Sequence, residues 1–94
     1  MTKKAIKAIV ADDMKQWREI HISTIKDAFP DVQVDEAVTG DELVQLVLAG
    51  DYSLVISDND MAYERAGDGL EALEAIRKAG NNVPFYLIKL SCVM

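Results

Sequence analysis

The residues of this chain best suited to chemistry are aspartates, and they come in two short groups. Asp12 and Asp13 follow the apolar run AIKAIVA, Ala5 to Ala11. Asp58, Asn59 and Asp60 follow Leu54, Val55, Ile56 and Ser57 in the stretch LVISDNDM. Each group closes a segment whose composition calls for burial, where charge is most costly to place. Carboxylates brought together there repel one another, and the remedies are protonation of one member or a bound divalent cation. Two carboxylates, a backbone carbonyl and water form a shell that Mg²⁺ accepts, commonly with a phosphate completing it. A carboxylate left facing such a cation is also a nucleophile in waiting. Asp12, Asp13, Asp58 and Asp60 are therefore the candidate site. The single Cys92 and single His21 permit neither an internal disulfide nor a Cys/His zinc site.

For these aspartates to meet, the segments before them must be neighbouring strands. Ala5–Ala11 is the first strand candidate, and Val32–Ala37 alternates like a second. Leu54–Ser57 lacks alternation, as a strand buried on both faces of a parallel sheet does. Phe85–Leu90 (FYLIKL) is the fourth. Helical patterns lie between them. Asp13 with Gln16 resembles a capping box and opens a helix with Trp17, Ile20, Thr24, Ile25 and Ala28 inward, ending before Pro30. His21 falls on the same inward side as a packed side chain. Thr39 with Glu42 opens a second helix, with Leu43, Leu46 and Val47 inward, Val44 and Leu48 outside the best stripe, and Gly50 at its end. Asp68 with Glu71 opens a third, with Leu70, Leu73 and Ile76 inside and a Glu74–Lys78 pair outside, closed by Gly80, Asn81 and Asn82.

Strand and helix alternating in this way predict an α/β, doubly wound parallel sheet with helices on both faces. In the order 2-1-3-4 the first and third strands are neighbours, so at least three carboxylates converge at their carboxyl ends, where such folds bind ligands.

The 94 residues form one domain, since they leave no room for a second core. A formal net charge of -6 opposes direct docking on nucleic acid or an anionic membrane surface. The basic, then apolar start is interrupted by Lys7 and ends in two aspartates, which disfavours a signal peptide. No apolar run reaches the length of a membrane span. A cytoplasmic protein is expected, and Cys92 is expected to be inert.

At IVADD (Ile9 to Asp13), LVISDNDM (Leu54 to Met61) and DGLEALEAIRK (Asp68 to Lys78) the sequence resembles the receiver domains of bacterial two-component response regulators, CheY-like and flavodoxin-like in fold. The resemblance covers nearly the whole chain. It implies that a sensor histidine kinase or a phosphotransfer protein donates a phosphoryl group to Asp58, forming an acyl phosphate. It further implies that Asp12 and Asp13 bind Mg²⁺, directly or through water, with the main-chain carbonyl of Asp60 as a further ligand. Such a domain is a switch that speeds its own phosphorylation and dephosphorylation, and it signals through a downstream output protein.

The departures from the family pattern are equally specific. Receivers continue with another helix, a fifth strand ending in Lys, and a last helix, so residues 1–94 read as a single receiver-like domain, C-terminally incomplete. Ser91 lies near the family's switch Ser/Thr, and Lys89 is a candidate substitute for the absent Lys, since both share one strand parity. Ala62 stands where the family has Pro, and Tyr63, Glu64 and Arg65 fall in a lengthened loop. Without a fifth strand, FYLIKL becomes an apolar edge open to homodimerisation. Two other functions compete with the switch. One is a degenerate receiver acting only as a protein-binding or dimerisation module. The other is a haloacid-dehalogenase-type phosphatase, whose DxD motif resembles Asp58-Asn59-Asp60 but follows the first strand and needs later Lys and acidic motifs.

Overall fold

Lys7–Ala11 forms β1 in the computed structural model, which describes residues 6–58 and 69–88. The elements that follow are α1 (Lys15–Ala28), β2 (Gln33–Ala37), α2 (Gly40–Ala49), β3 (Leu54–Asp58), α3 (Gly69–Lys78) and β4 (Phe85–Ile88). All strand pairs are parallel, and the sheet order is β2-β1-β3-β4, as expected. β1 occupies the interior of the sheet because every residue from Ala8 to Ala11 is apolar and can be buried.

Alternation along β1 divides the core in two. Ile9 and Ala11 point to one face, where Leu43 and Val47 of α2 and Ala72 and Ile76 of α3 pack with Ala37 and Val55. Ala8 and Val10 point to the other face, where Ile25 of α1 packs with Val32, flanked by Ile22, Val34, Leu54 and Ile56. Helices therefore cover both faces, and the sheet is doubly wound.

Two helix faces differ in part from the sequence expectation, while Trp17 and Ile25 of α1 and Ile76 of α3 lie inward as expected. In α1 the inward stripe runs through Arg18, Ile22 and Ile25, while Ile20, Thr24 and Ala28 are exposed. The cause lies at its start. The Asp12 carboxylate accepts the Met14 N–H at 3.0 Å, so Met14 rather than Asp13 is the N-cap residue, and it makes no side-chain cap bond. Trp17 and His21 remain half-buried and stack on each other. In α3 the buried residues are Gly69, Ala72 and Ile76, and Leu70 is exposed with Leu73 half-buried. This helix lies tight against the end of β3, where only small side chains fit.

Local chemistry sets the other helix ends. Thr39 Oγ1 accepts the Glu42 N–H at 3.1 Å, and Glu42 Oε1 accepts the Val38 N–H at 2.8 Å, closing the expected cap of α2. Val44, expected outside the stripe, is half-buried against the core, whereas Leu48 is exposed. At the end of α3, Gly80 adopts φ +88°, and the Asn81 and Gly80 N–H groups donate to the Ile76 and Arg77 carbonyls. That is the pattern by which a glycine closes a helix. Among the described residues, Glu74 and Lys78 form no ion pair; the pairs present are Lys15–Glu19 and Arg18–Glu36. The expected cap at Asp68 and the strand positions Ala5, Lys89 and Leu90 lie outside the described residues.

Candidate functional site

Register brings the two acidic groups together. Ala11 of β1 pairs with Ser57 of β3, so the next residues along the strands, Asp12 and Asp58, lie side by side at the carboxyl edge. Asp13 follows in the β1–α1 connection. One carboxylate oxygen from each of Asp12, Asp13 and Asp58 lies within 4.8 Å of the others. The three differ in exposure: Asp12 is fully buried, Asp58 half-buried and Asp13 exposed.

Asp12 is the most constrained of the three. Its Oδ1 accepts the Met14 N–H, but its buried Oδ2 has no hydrogen-bond partner among the described residues. Burial pushes the Asp12 carboxyl above the ordinary carboxylate range. The Met14 N–H counters this, and the neighbouring Asp58 and Asp13 raise it further. An unpartnered buried carboxylate oxygen is costly, so its place in an acidic cluster calls for a counter-charge.

The floor of the site is equally defined. Ser57 is fully buried, and its hydroxyl donates to the Asp58 carbonyl at 3.0 Å. Gly69, the first residue of α3, sits directly on this corner: a Cβ there would lie 2.5 Å from the Asp58 carbonyl oxygen and 2.8 Å from Ser57 Oγ. The glycine of the DGLEALEAIRK motif is thus needed for close approach of α3 to β3.

A fourth residue emerges that sequence reasoning did not single out. Arg18 of α1 donates from Nη1 to the Asp12 carbonyl oxygen at 3.0 Å and from Nε to Glu36 Oε1 at 2.8 Å. The Arg18 side chain is only 14% exposed, whereas Glu36 at the other end of the link is 47% exposed. The signal in the sequence is faint, because Arg18 and Glu36 lie far apart and meet only once β2 is placed beside β1.

Of the expected site residues, the structure brings together Asp12, Asp13 and Asp58. Asp60, Lys89 and Ser91 lie outside the described residues, as do Ala62, Tyr63, Glu64 and Arg65. The donor set that is present, all carboxylate oxygen with one buried orphan, suits a hard cation such as Mg²⁺.

No family model and no curated protein matches the sequence. Solved structures do. The chain is similar to the receiver domain of a Francisella response regulator, with TM-score 0.76 and 26% identity over 95% of this chain and 69% of that one. It is similar to the response regulator TrrA of Thermotoga maritima, solved in complex with Mg²⁺ and BeF, with TM-score 0.78 and 27% identity. That match covers 89% of this chain and 69% of TrrA. The N-terminal domain of a Wolinella succinogenes protein matches with TM-score 0.78 and 27% identity, over 96% of this chain and 68% of its own. Taken with the strand order, the helices on both faces and the acidic carboxyl edge, these likenesses show that the chain has the fold of a response-regulator receiver domain and is similar to such domains.

Proposed function

We propose that this domain is a phosphoacceptor switch in which Asp58 receives a phosphoryl group from a phosphohistidine of a sensor kinase or phosphotransfer protein. The observation that carries this reading is the convergence of Asp12, Asp13 and Asp58 at the carboxyl edge, with the buried Oδ2 of Asp12 lacking a partner. Asp58 is the nucleophile because it is half-buried at the end of β3, accessible to a donor yet fixed by the strand. One of its carboxylate oxygens attacks phosphorus. The new P–O bond forms as the P–N bond breaks, and the departing imidazole nitrogen recovers a proton from solvent. Asp12 and Asp13 hold Mg²⁺, with the Asp60 carbonyl as a further ligand by resemblance. When bound, the ion offsets the charge that gathers on the phosphoryl oxygens. Ser57 and Gly69 keep the Asp58 main chain in place beneath the reacting carboxylate. Mg²⁺ in the related TrrA supports this assignment.

In this reading residues 1–94 act as one receiver unit, in the cytoplasm, whose output passes through a partner protein. Ser91 serves as the residue that reads phosphorylation, and Lys89 as the cation facing the phosphoryl group. Among the described residues no helix is long and apolar enough to cross a membrane. Association through β4 is a further proposal, since among the described residues β4 pairs only with β3 and exposes Tyr86 and Leu87.

The test is intact mass after incubation with a small acyl-phosphate donor, with and without Mg²⁺. The native chain should gain one phosphoryl group only with Mg²⁺, and Asp58→Asn should gain none. A folded native chain that gains none would leave the acidic site without its chemistry.

A further inference from the structure

We propose that Arg18 is a positioning residue for the cation site, acting through the main chain of Asp12 in concert with Glu36. The inference rests on the Mg²⁺ reading above and deepens it. Asp12 can serve as a ligand only if its carboxylate keeps its place in the cluster, and that place is set by the backbone just after β1. Three bonds hold this turn. The Asp12 N–H donates to the Ala37 carbonyl at 3.0 Å, the Met14 N–H donates to Asp12 Oδ1, and Arg18 Nη1 donates to the Asp12 carbonyl oxygen. The guanidinium alone among these reaches from α1, and Nε of the same group is anchored to Glu36 at 2.8 Å. Glu36 pairs in register with Val10, so the anchor point is the carboxyl end of β2. Arg18 therefore ties α1, the turn that carries Asp12 and the edge strand together through one planar group, which lysine cannot reproduce because all its donors sit on a single nitrogen.

Charge and position make opposite predictions, which permits a clean test. Arg18 carries a positive charge close to a cation site. If it acted only through that charge, its removal would tighten Mg²⁺ binding, and an Arg18→Lys exchange would leave binding unchanged. If it positions Asp12, both Arg18→Met and Arg18→Lys weaken binding, because the turn loses its second anchor.

The experiment is Mg²⁺ titration of the native chain, Arg18→Met, Arg18→Lys and Glu36→Gln by calorimetry, with Trp17 fluorescence as a parallel readout. Far-UV circular dichroism and a thermal melt establish that each variant is folded. Outer partners of metal ligands typically control affinity by about 10–100-fold. We expect about a tenfold loss in Arg18→Met, a loss of the same direction in Arg18→Lys, and a smaller one in Glu36→Gln. Unchanged or tighter binding in a folded Arg18→Lys or Arg18→Met overturns the proposal while leaving the Mg²⁺ reading intact. Absence of saturable Mg²⁺ binding in the folded native chain overturns both, and is distinguished from the first failure by occurring without any substitution. Should Arg18→Met not fold, Arg18→Lys and Glu36→Gln decide the matter.

Discussion

Asp12 bears the conflict on which the site depends. It is buried, crowded by Asp58 and Asp13, and one of its oxygens has no donor among the described residues. Its raised pKa fixes the sign of its effect on stability. The folded chain keeps a proton on Asp12 above the ordinary value of 3.8, where the unfolded chain has released it. Stability from this group is therefore full below 3.8 and is lost as pH rises through the raised value. Replacing the carboxylate with an amide removes the cost. In metal-free urea unfolding at neutral pH, Asp12→Asn should be more stable than the native chain by about 1–3 kcal/mol, and the gap should close under acid conditions. Mg²⁺ should reverse the order. A ligand at a hundredfold excess over its dissociation constant adds about 2.7 kcal/mol to the state that binds it, and only the native chain retains all three carboxylates. Equal stability of the two proteins in chelator at neutral pH would contradict the account of Asp12 as a buried carboxylate with an uncompensated charge.

At the scale of elements, the contact between α3 and β3 matters most, since the first turn of one rests on the last residues of the other. Gly69→Ala should destabilise the fold by about 1–3 kcal/mol, the range for overpacking a tight contact. Mg²⁺ affinity should fall with it, because the atoms a Cβ would meet include the Asp58 carbonyl oxygen and Ser57 Oγ, beside Leu87 Cδ1. Gly80→Ala is the informative contrast. Open space surrounds that position, and only its φ of +88° opposes a side chain. It should cost about 1–2 kcal/mol with no change in Mg²⁺ affinity. Parallel urea and Mg²⁺ titrations of the two variants separate the effects. Removal of the α2 cap by Thr39→Ala should cost about 1 kcal/mol, again without touching the site.

These elements also show what the sequence can reveal. Strand identity, sheet order and the acidic edge were legible because Ala8 to Ala11 and Leu54 to Ser57 are short apolar runs that stop abruptly at aspartate. The capping pair Thr39 and Glu42 was legible because both partners are local. The faces of α1 and α3 were not. In α1 the Asp12 carboxylate captures the Met14 N–H, a choice made by the site rather than by helix propensity. In α3 closeness to β3 favours Gly69 and Ala72 over Leu70, and a pattern that weighs only hydrophobicity ranks them the other way. Arg18 escaped notice for a third reason, since its partners are a main-chain carbonyl and a residue on another strand.

For the whole molecule, the carboxyl ends of β1 and β3 meet at one edge of a sheet whose central strand β1 is apolar from Ala8 to Ala11. Among the described residues, α2 and α3 cover one face and α1 the other. Tyr86 and Leu87 on β4 remain exposed, so the described part of the chain is better protected toward β1 than toward β4. The Tyr52 hydroxyl ties the connection between α2 and β3 to β2 by donating to Asp35 at 2.6 Å. Burial and that neighbouring carboxylate push the Tyr52 pKa up to about 12. The tie is present below the ordinary value of 10.0 and is lost as pH rises through about 12. Tyr52→Phe should remove this alkaline component, as followed by ultraviolet titration of tyrosinate.

The interior position of β1 has a consequence in time as well as in space. Amide protons exchange with solvent when the segment that holds them opens, and segments open in the order of their local stability. β1 is paired on both sides and buried on both faces, so the amides of Ile9, Val10 and Ala11 should be among the last to exchange, well after those of β4. Asp12 is the next residue along the chain. The buried carboxylate crowded by Asp58 and Asp13 thus hangs from the strand expected to open last, and the geometry of the acidic cluster should outlast excursions that fray the sheet at its rim.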